Sequence, residues 1–320
     1  MQTPVLALDI GGTKIAAGLV APDGSVIVHE VIPTPVTGDA GVLWSSVVGL
    51  VDGLLAERGD VPFGGVGIGC GGPMTWPQGQ VSPVNIPAWR GFPLLDRMRD
   101  RYGIGLPVAI HNDAVCVALA EHRWGAGRGH QYVLGMVVST GVGGGLVLAG
   151  HRIDGGTGNA GHIGHVVAEP GGPECPCGGR GCVEAIARGP AIAAYAVARG
   201  WTGPQTGIAV AEGARAGDPA CVAAFARAGR AVGIGIASAA ALLDLDVVAV
   251  GGGIAQAGDV FFGPLRAAFA EHAGMDFVRR CRIVPAELGA LAGLSGAAAL
   301  VLDGRASYSR YWETDWSESS

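Results

Sequence analysis

Val5–Val20, VLALDIGGTKIAAGLV, decides the fold. Its two apolar runs, Val5–Ile10 and Lys14–Val20, predict neighbouring strands joined by a glycine-rich turn. The same order of strand, Gly/Thr turn and strand returns in Val133–Leu148, VLGMVVSTGVGGGLVL, with Thr140–Gly145 predicted as the turn. Two copies of one hairpin, each opening its own half of the chain, predict two related α/β lobes that face a nucleotide across a cleft.

The first turn carries residues that suit a phosphate. Gly11 and Gly12 free the backbone N–H groups, Thr13 adds a hydroxyl and Lys14 an ammonium group. Asp9, at the end of an apolar strand, can hold Mg²⁺ through water. The turn is not a Walker loop, which needs a strand-to-helix turn and a longer glycine spacing. The alternative is a plain hairpin with Asp9 and Lys14 at the surface.

Two further turns follow predicted strands. Asn112 and Asp113 lie between the strand Val108–Ile110 and a helix, a frequent position for catalytic groups in open α/β sheets. The alternative is that one of the two side chains caps the helix. Gly251–Ile254 follows another buried strand, and its glycines suit the adenosine side of a nucleotide, where a side chain would block the base or the ribose.

A metal site is predicted in Asn159–Glu184, NAGHIGHVVAEPGGPECPCGGRGCVE. Cys175, Cys177 and Cys182 form a C-x-C-x4-C array, and His165 lies ten residues before the first of them. Three thiolates and one imidazole complete the tetrahedral set of a structural Zn²⁺ with no open position. The alternatives are reduced cysteines in a flexible loop, or a disulfide.

Composition limits the classes of function. The chain has 320 residues, 49% hydrophobic and 15% charged, which fits one large globular domain or two lobes. The net charge of −6 argues against nucleic-acid binding. The start lacks a basic and apolar leader, and we find no uninterrupted apolar run long enough for a membrane span. Seven cysteines, an odd number, favour the reducing cytoplasm.

Three motifs together resemble a known family. They are D-x-G-G-T-K at Asp9–Lys14, T-G-V-G-G-G at Thr140–Gly145, and G-H-x9-C-x-C-G-x2-G-C-x-E at Gly164–Glu184. The chain resembles the repressor, open reading frame, kinase (ROK) family over roughly residues 5–303. That family contains glucokinases, fructokinases and N-acetylhexosamine kinases, and also transcriptional repressors.

The resemblance implies an α/β, two-lobed actin-like ATPase fold of the ribonuclease H-like type, with the sugar in the cleft. We expect a small lobe at residues 1–115 plus 287–305, a large lobe at 116–286, and a mobile tail at 306–320. Members of the family are commonly dimeric, which implies a homodimer or homotetramer.

The resemblance also implies residue roles. Asp113 matches the general base that takes the proton of the sugar 6-hydroxyl, and Asn112 matches a ligand of the sugar hydroxyls. His165 matches a zinc ligand that also faces the sugar, and Glu184 accepts hydrogen bonds near the anomeric carbon. Gly71 and Gly72 fall in the first sugar-contacting loop. The nucleotide would be surrounded by Gly11, Gly12, Thr13, Lys14, Thr140, Gly141 and Gly252.

His162 departs from the family pattern. The family usually has glutamate in E-x-G-H, where this chain has His162-Ile-Gly-His165. A neutral imidazole offers one donor and one acceptor, whereas a carboxylate only accepts. His162 can therefore change which sugar the protein binds. The alternative is a tolerated variant that still binds glucose.

The leading hypothesis is therefore a kinase that uses ATP, Mg²⁺ and a structural Zn²⁺ to phosphorylate glucose. A kinase for an N-acetylated or amino hexose, such as N-acetylglucosamine, N-acetylmannosamine or an amino-glucose, is the first alternative. A non-catalytic sugar sensor is another, and polyphosphate as donor stays open. A repressor is not expected, since only eight residues precede Asp9.

Overall fold

The computed structural model describes residues 3–59 and 61–303, and the predicted tail lies outside the described residues. The chain divides into two compact units. Unit 1 holds the chain up to Ala120, the segment Asp154–Asn159 and the chain from Leu291 onward. Unit 2 holds Glu121–Ile153 and Ala160–Ala290. The predicted lobe boundaries at residues 115 and 287 stay a prediction.

Unit 1 is built on a five-stranded sheet with the order β3-β2-β1-β4-β7. The first three strands run antiparallel, and β4 and β7 run parallel to β1. The short strands β5 and β6 form a hairpin of their own. The strands are β1 (Val5–Ile10), β2 (Lys14–Val20), β3 (Val26–Pro33), β4 (Val66–Cys70), β5 (Met74–Thr75), β6 (Gln80–Val81) and β7 (Val108–Asn112).

Unit 2 repeats this topology in the order β10-β9-β8-β11-β12. An antiparallel meander of three strands again continues into two parallel strands. The duplication predicted from the two hairpins is therefore confirmed. The strands are β8 (Val133–Val138), β9 (Val142–Leu148), β10 (His151–Ile153), β11 (Val247–Gly251) and β12 (Arg282–Pro285).

The second glycine-rich turn is shorter than predicted. Val142–Gly145 belong to β9, because Val142 pairs with Val138 and Gly145 with Gly135 across the ladder. Glycine weakens a strand but does not prevent pairing when a partner strand is already in place. Only residues 139–141 form the turn.

The two longest helices begin at aspartates that cap them. The Asp39 carboxylate accepts the N–H groups of Gly41 and Val42 at the start of α1, and Asp218 accepts the N–H of Cys221 at the start of α7. The described residues form α1 (Ala40–Arg58), α2 (Leu94–Tyr102), α3 (Asp113–Trp124), α4 (Val183–Ala187), α5 (Gly189–Val197), α6 (Gly207–Arg215), α7 (Pro219–Leu243), α8 (Asp259–His272), α9 (Asp276–Arg279) and α10 (Ala292–Leu302).

The Ala- and Gly-rich sequence of Asp218–Leu243 predicts a helix that is broken near Arg230. The prediction of a break is wrong, because α7 is continuous over 25 residues. Its glycines serve close packing instead of ending the helix. A Cβ atom on Gly229 would lie 2.7 Å from the Phe261 carbonyl oxygen, and one on Gly233 would lie 2.4 Å from that of Leu265. The small residues therefore let α7 approach the backbone of α8.

Two described helices are long and apolar enough to cross a membrane on length and composition alone. They are Ala40–Glu57 within α1 and the whole of α7, each with a mean hydropathy of 1.4. A core helix of a globular protein passes the same test, and α7 is 67% buried. The predicted absence of membrane contact stays a prediction.

Glu121 in α3 is a buried carboxylate that organises backbone of unit 2. It accepts the N–H of Ala126 at 2.9 Å, of Glu287 at 3.1 Å and of Leu288 at 2.9 Å. Its side chain is fully buried. The three backbone N–H groups satisfy the acceptor oxygens of this buried side chain and hold the loop after β12 against α3.

We expect Glu121→Ala to lower the free energy of unfolding by about 4 kcal/mol, because three backbone N–H groups lose their acceptor and a cavity replaces a fully buried side chain. Glu121→Gln keeps one oxygen and should cost about half as much. Denaturant unfolding measures both, with Glu57→Gln on the exposed face of α1 as the control. Equal stability of the alanine and control variants would contradict the prediction.

Candidate active site

The register of the sheet in unit 1 gathers the predicted catalytic residues at one end. Ile10 pairs with Cys70, and Cys70 pairs with Asn112. The residues that follow these three positions are the first glycine-rich turn, Gly71 and Asp113. Since neighbouring strands lie about 4.8 Å apart, the three strand ends fall within about 10 Å of one another.

The first turn is held by short hydrogen bonds. The Gly11 N–H donates to the Lys14 carbonyl at 3.0 Å, and the Thr34 hydroxyl donates to the Gly11 carbonyl at 2.6 Å. A Cβ atom on Gly12 would lie 2.5 Å from that of Asn85, so only glycine fits there. Thr13 and Lys14 are exposed, as phosphate-binding groups need to be.

Asp9 is the perturbed carboxyl of this end of the sheet. Burial and the charge of Asp113 raise its pKa to about 6, and Lys14 opposes the shift. Gly293 in α10 allows the approach, since a Cβ atom there would lie 2.4 Å from Asp9 Oδ2. Asp9, Asp113 and Lys14 therefore interact electrostatically within unit 1.

The raised pKa makes a stability prediction for Asp9→Asn. Between pH 3.8 and about 6 the folded protein binds more protons at Asp9 than the unfolded chain does, so the free energy of unfolding falls as pH rises. In magnesium-free buffer near pH 8 the asparagine variant should be more stable by about 3 kcal/mol, and near pH 4 only a small part of the gain should remain. Thermal unfolding across that range measures it. A gain that does not vary with pH would contradict the assignment; Asp100→Asn in α2 is the exposed control.

Asn112 and Asp113 both cap helix α3. The Ala114 N–H lies 3.0 Å from Asn112 Oδ1 and 2.8 Å from Asp113 Oδ1. The capping alternative is confirmed, because each side chain accepts the Ala114 N–H near the start of the helix through its Oδ1 atom. Nearby, the Gly71 N–H donates to the Ile10 carbonyl at 3.2 Å, and the Gly72 carbonyl accepts from Val84, so both glycines lie beside β1 and β4.

In unit 2 the second glycine-rich turn, residues 139–141, lies against the side chain of Glu184. The Val142 N–H donates to Glu184 Oε2 at 2.8 Å, and a Cβ atom on Gly141 would lie 2.9 Å from the same oxygen. The Glu184 carboxylate, in α4, therefore contacts the turn that contains Thr140. Gly252, with φ of +92°, lies against the Val138 carbonyl at the end of the adjacent strand. The second and third turns thus share one end of the sheet.

The four predicted metal ligands converge in unit 2. The ligand atoms of His165, Cys175, Cys177 and Cys182 all lie within 4.8 Å of one another. Cys177 Sγ is 3.8 Å from Cys182 Sγ, and Cys175 Sγ is 3.8 Å from His165 Nδ1. Tetrahedral zinc with Zn–S distances of about 2.3 Å places two sulfurs about 3.8 Å apart. The spacing of these side chains therefore fits zinc.

The backbone around the four ligands is tightly bound. Gly181 has φ of +69°, and a Cβ atom on it would lie 1.8 Å from the Glu169 carbonyl oxygen. The Val183 N–H donates to the Val166 carbonyl at 3.0 Å, which ties the loop to α4. Burial raises the pKa of Cys182 to about 12, so a bound cation must displace a proton from this thiol.

His162 lies beside the predicted zinc ligand. The His162 and His165 ring centroids are 6.0 Å apart with 23° between the planes, and the His165 N–H donates to the His162 carbonyl. Any change at His162 therefore acts next to the predicted metal ligands.

Two buried polar contacts were not predicted from the sequence, one in unit 1 and one in unit 2. His111, one residue before Asn112, is fully buried and bonds to Asp154, which is 43 residues away. Glu121 was missed as well. The signal was weak in both cases, because a polar residue in an apolar stretch shows burial only when its partner is known.

A comparison with known protein families gives a match over almost the whole chain. The ROK family model matches residues 5–304. The chain belongs to the ROK family. A glucokinase of Streptomyces coelicolor is 33% identical over 312 residues, covering 92% of this chain and 96% of that protein. An N-acetylmannosamine kinase of Yersinia pseudotuberculosis is 37% identical over 252 residues, covering 79% and 83%.

The solved structures agree with this ROK assignment. A ROK family glucokinase from Streptomyces griseus, crystallised with glucose and AMPPNP, superimposes with a TM-score of 0.81 at 34% identity, covering 94% of this chain and all of that one. A ROK hexokinase from Thermus thermophilus gives a TM-score of 0.81 at 36% identity, covering 93% and 97%. This ROK protein is a sugar kinase with the actin-like ATPase fold, and both predictions are confirmed.

Proposed function

We propose that the chain transfers the γ-phosphoryl group of ATP to the 6-hydroxyl of glucose, with Asp113 as general base. The observation that carries the proposal is the pairing row Ile10–Cys70–Asn112. It gathers the phosphate turn, the predicted sugar loop and the candidate base at one end of a sheet. The relative that contains glucose and AMPPNP supports glucose and ATP as the substrates.

The residues of unit 1 would act as follows. Asp113 takes the proton of the sugar hydroxyl, whose oxygen then forms a bond to the γ-phosphorus while the bond from that phosphorus to the β–γ bridging oxygen breaks. Lys14 offsets negative charge on the phosphates, and the N–H groups of the turn at Gly11 and Gly12 orient them. Asn112 fixes the sugar through its amide. Catalysis is then mainly positioning and charge neutralisation.

Two cations complete the proposal. Asp9 would hold Mg²⁺ through water, and the metal would neutralise phosphate charge. In unit 2, His165, Cys175, Cys177 and Cys182 would hold a structural Zn²⁺ that stiffens the loop leading to Glu184. In this role zinc takes no part in the chemistry. Thr140, Gly141 and Gly252 would contact the nucleotide.

A coupled assay of ADP release tests the function. Zinc-replete protein is given MgATP and a panel of glucose, mannose, N-acetylglucosamine, N-acetylmannosamine and 2-amino-glucose, with polyphosphate as a second donor. We expect the largest kcat/KM for glucose with ATP. The absence of turnover with every sugar would refute the kinase proposal and favour the sugar sensor.

N-acetylmannosamine is the second candidate substrate. The Yersinia N-acetylmannosamine kinase is more identical to this chain than the Streptomyces glucokinase is, although over a shorter span. His162 also stands where the family usually has glutamate. The same panel separates the two sugars.

His162→Glu is expected to change the relative kcat/KM among the sugars by about 10-fold, because a carboxylate replaces one donor with acceptors only. The same assay panel measures the ratios. His162→Gln is the matched control, since an amide keeps one donor and one acceptor. Ratios that stay equal across the panel in the glutamate variant would show that His162 does not select the sugar.

We further propose a cytoplasmic homodimer or homotetramer that does not bind nucleic acid. The net charge of −6 supports the absence of nucleic-acid binding, and the seven cysteines, none in a disulfide, support the reducing compartment. The assembly rests on the resemblance to a family whose members are commonly dimeric. Light scattering on the purified protein measures the assembly, and a monomer would contradict it.

A further inference from the structure

A buried histidine two residues before the proposed base is hydrogen-bonded to an aspartate from a distant segment of the chain. His111 Nε2 is 2.8 Å from Asp154 Oδ1, and the imidazole is fully buried while the carboxylate is 9% exposed. His111 is the residue before Asn112 and two before Asp113. All four residues belong to unit 1.

The hydrogen bonds fix which ring nitrogen of His111 carries the proton. The backbone N–H of Asn112 lies 2.8 Å from His111 Nδ1, and a backbone N–H can only donate. Nδ1 is therefore the acceptor, so in the neutral ring the proton is on Nε2, which donates to Asp154. One ring thus joins the strand end to the carboxylate.

The position of β7 explains why this contact matters. β7 is an edge strand, so it has a partner strand on one side only. The His111 imidazole accepts a hydrogen bond from the backbone N–H of Asn112, the last residue of β7. The orientation of that peptide sets the direction in which both proposed active-site residues leave the strand.

Asp154 itself is held by a close-packed segment. The His111 ring lies 4.9 Å from the Trp76 ring, and a Cβ atom on Gly158 would lie 2.4 Å from the Trp76 Cβ. Gly158 has φ of +77°, so glycine is required there on both counts. The segment Asp154–Asn159 therefore packs on Trp76 at one point and bonds to His111 at another.

We propose that His111 and Asp154 form a positioning pair that orients Asn112 and Asp113 toward the sugar. Neither residue needs to touch the substrate, because the pair acts through the Asn112 peptide. The inference rests on the proposed function of Asp113 as the base, and it assigns roles to two residues outside that proposal.

Four single variants separate the two hydrogen bonds. Asp154→Ala removes the acceptor of Nε2–H, and Asp154→Asn keeps an oxygen there. His111→Asn keeps an acceptor near Nδ1 and loses the Nε2 donor, whereas His111→Gln can keep the donor and loses the Nδ1 acceptor. Kinetics are measured against sugar and ATP separately, and thermal unfolding is recorded for each variant.

We expect Asp154→Ala to lower kcat/KM for the sugar about 30-fold while KM for ATP changes less than about 2-fold. Asp154→Asn should recover most of the loss. The double variant His111→Asn with Asp154→Ala should be no worse than either single change, because both break the same bond. Nitrogen-15 shifts of the His111 ring in the wild type should report the Nε2–H tautomer.

Three results would overturn the positioning pair. The first is an Nδ1–H tautomer of His111, and the second is an Asp154→Ala variant with unchanged kcat/KM for the sugar. The third is a loss of kcat/KM that is equal for sugar and ATP and that Asp154→Asn does not recover. If Asp154→Ala does not fold, the tautomer and Asp154→Asn still decide. If the wild type phosphorylates no sugar, the proposed function fails, and glucose titration calorimetry decides instead: binding weakened by Asp154→Ala supports the pair, and unchanged binding overturns it.

Discussion

Asp113→Asn is expected to lower kcat for sugar phosphorylation about 1000-fold and to leave KM for sugar and ATP within about 3-fold. The amide cannot take the proton of the attacking hydroxyl. Its oxygen can still accept the Ala114 N–H that Asp113 Oδ1 accepts at 2.8 Å, so the start of α3 should be kept. The loss would then be chemical, with little change in binding. Steady-state kinetics with MgATP and glucose measure it.

The same variant changes the electrostatics of its neighbour. The charge of Asp113 is one cause of the raised pKa of Asp9, so removing that charge should lower the pKa of Asp9 from about 6 toward its ordinary value. The pH dependence of stability should shift to lower pH accordingly. Asp100→Asn, at an exposed position of α2, is the matched control and should retain full activity. An Asp113→Asn variant with more than about one tenth of the wild-type kcat would falsify the general-base role.

Many strands and helices of the fold were predictable from the local sequence. The strands Val5–Ile10 and Lys14–Val20 have the predicted bounds, because apolar runs flanked by glycine leave few alternatives. The predicted break near Arg230 in α7 is wrong, although glycine has a low helix propensity. In the structure Gly229 and Gly233 contact the backbone of α8. Helix packing, which a single sequence does not reveal, outweighed propensity there.

In the candidate site, too, some features were predictable from the sequence and others were not. The four metal ligands were predictable because their chemistry and spacing are local, and they do converge. The bond from His111 to Asp154 was not, because it joins a strand end to a distant loop. The contact of Glu184 with the Val142 N–H was likewise hidden. Motifs predict which residues take part, and only the tertiary structure gives their partners.

Loss of the metal should have the second large effect. Cys182→Ser removes one of the four ligands, and a hydroxyl is a poor ligand for zinc. We expect bound zinc to fall from about one ion per chain to near zero, the melting temperature to fall by about 10 °C, and kcat/KM for the sugar to fall about 100-fold. Elemental analysis, thermal unfolding and the coupled assay measure the three quantities.

The physical reason lies in the contacts of the segment His165–Cys182, which carries the four predicted ligands. It is tied to α4 through the bond from the Val183 N–H to the Val166 carbonyl, and α4 presents Glu184 to the turn at Gly141. Without the cation, the crowded thiols and His165 lose their common partner, and this chain of contacts loosens. Cys221→Ala, a buried cysteine of α7 outside the cluster, is the control and should keep both zinc and activity. A zinc-free Cys182→Ser protein with wild-type kcat/KM would show that the loop needs no metal to position Glu184.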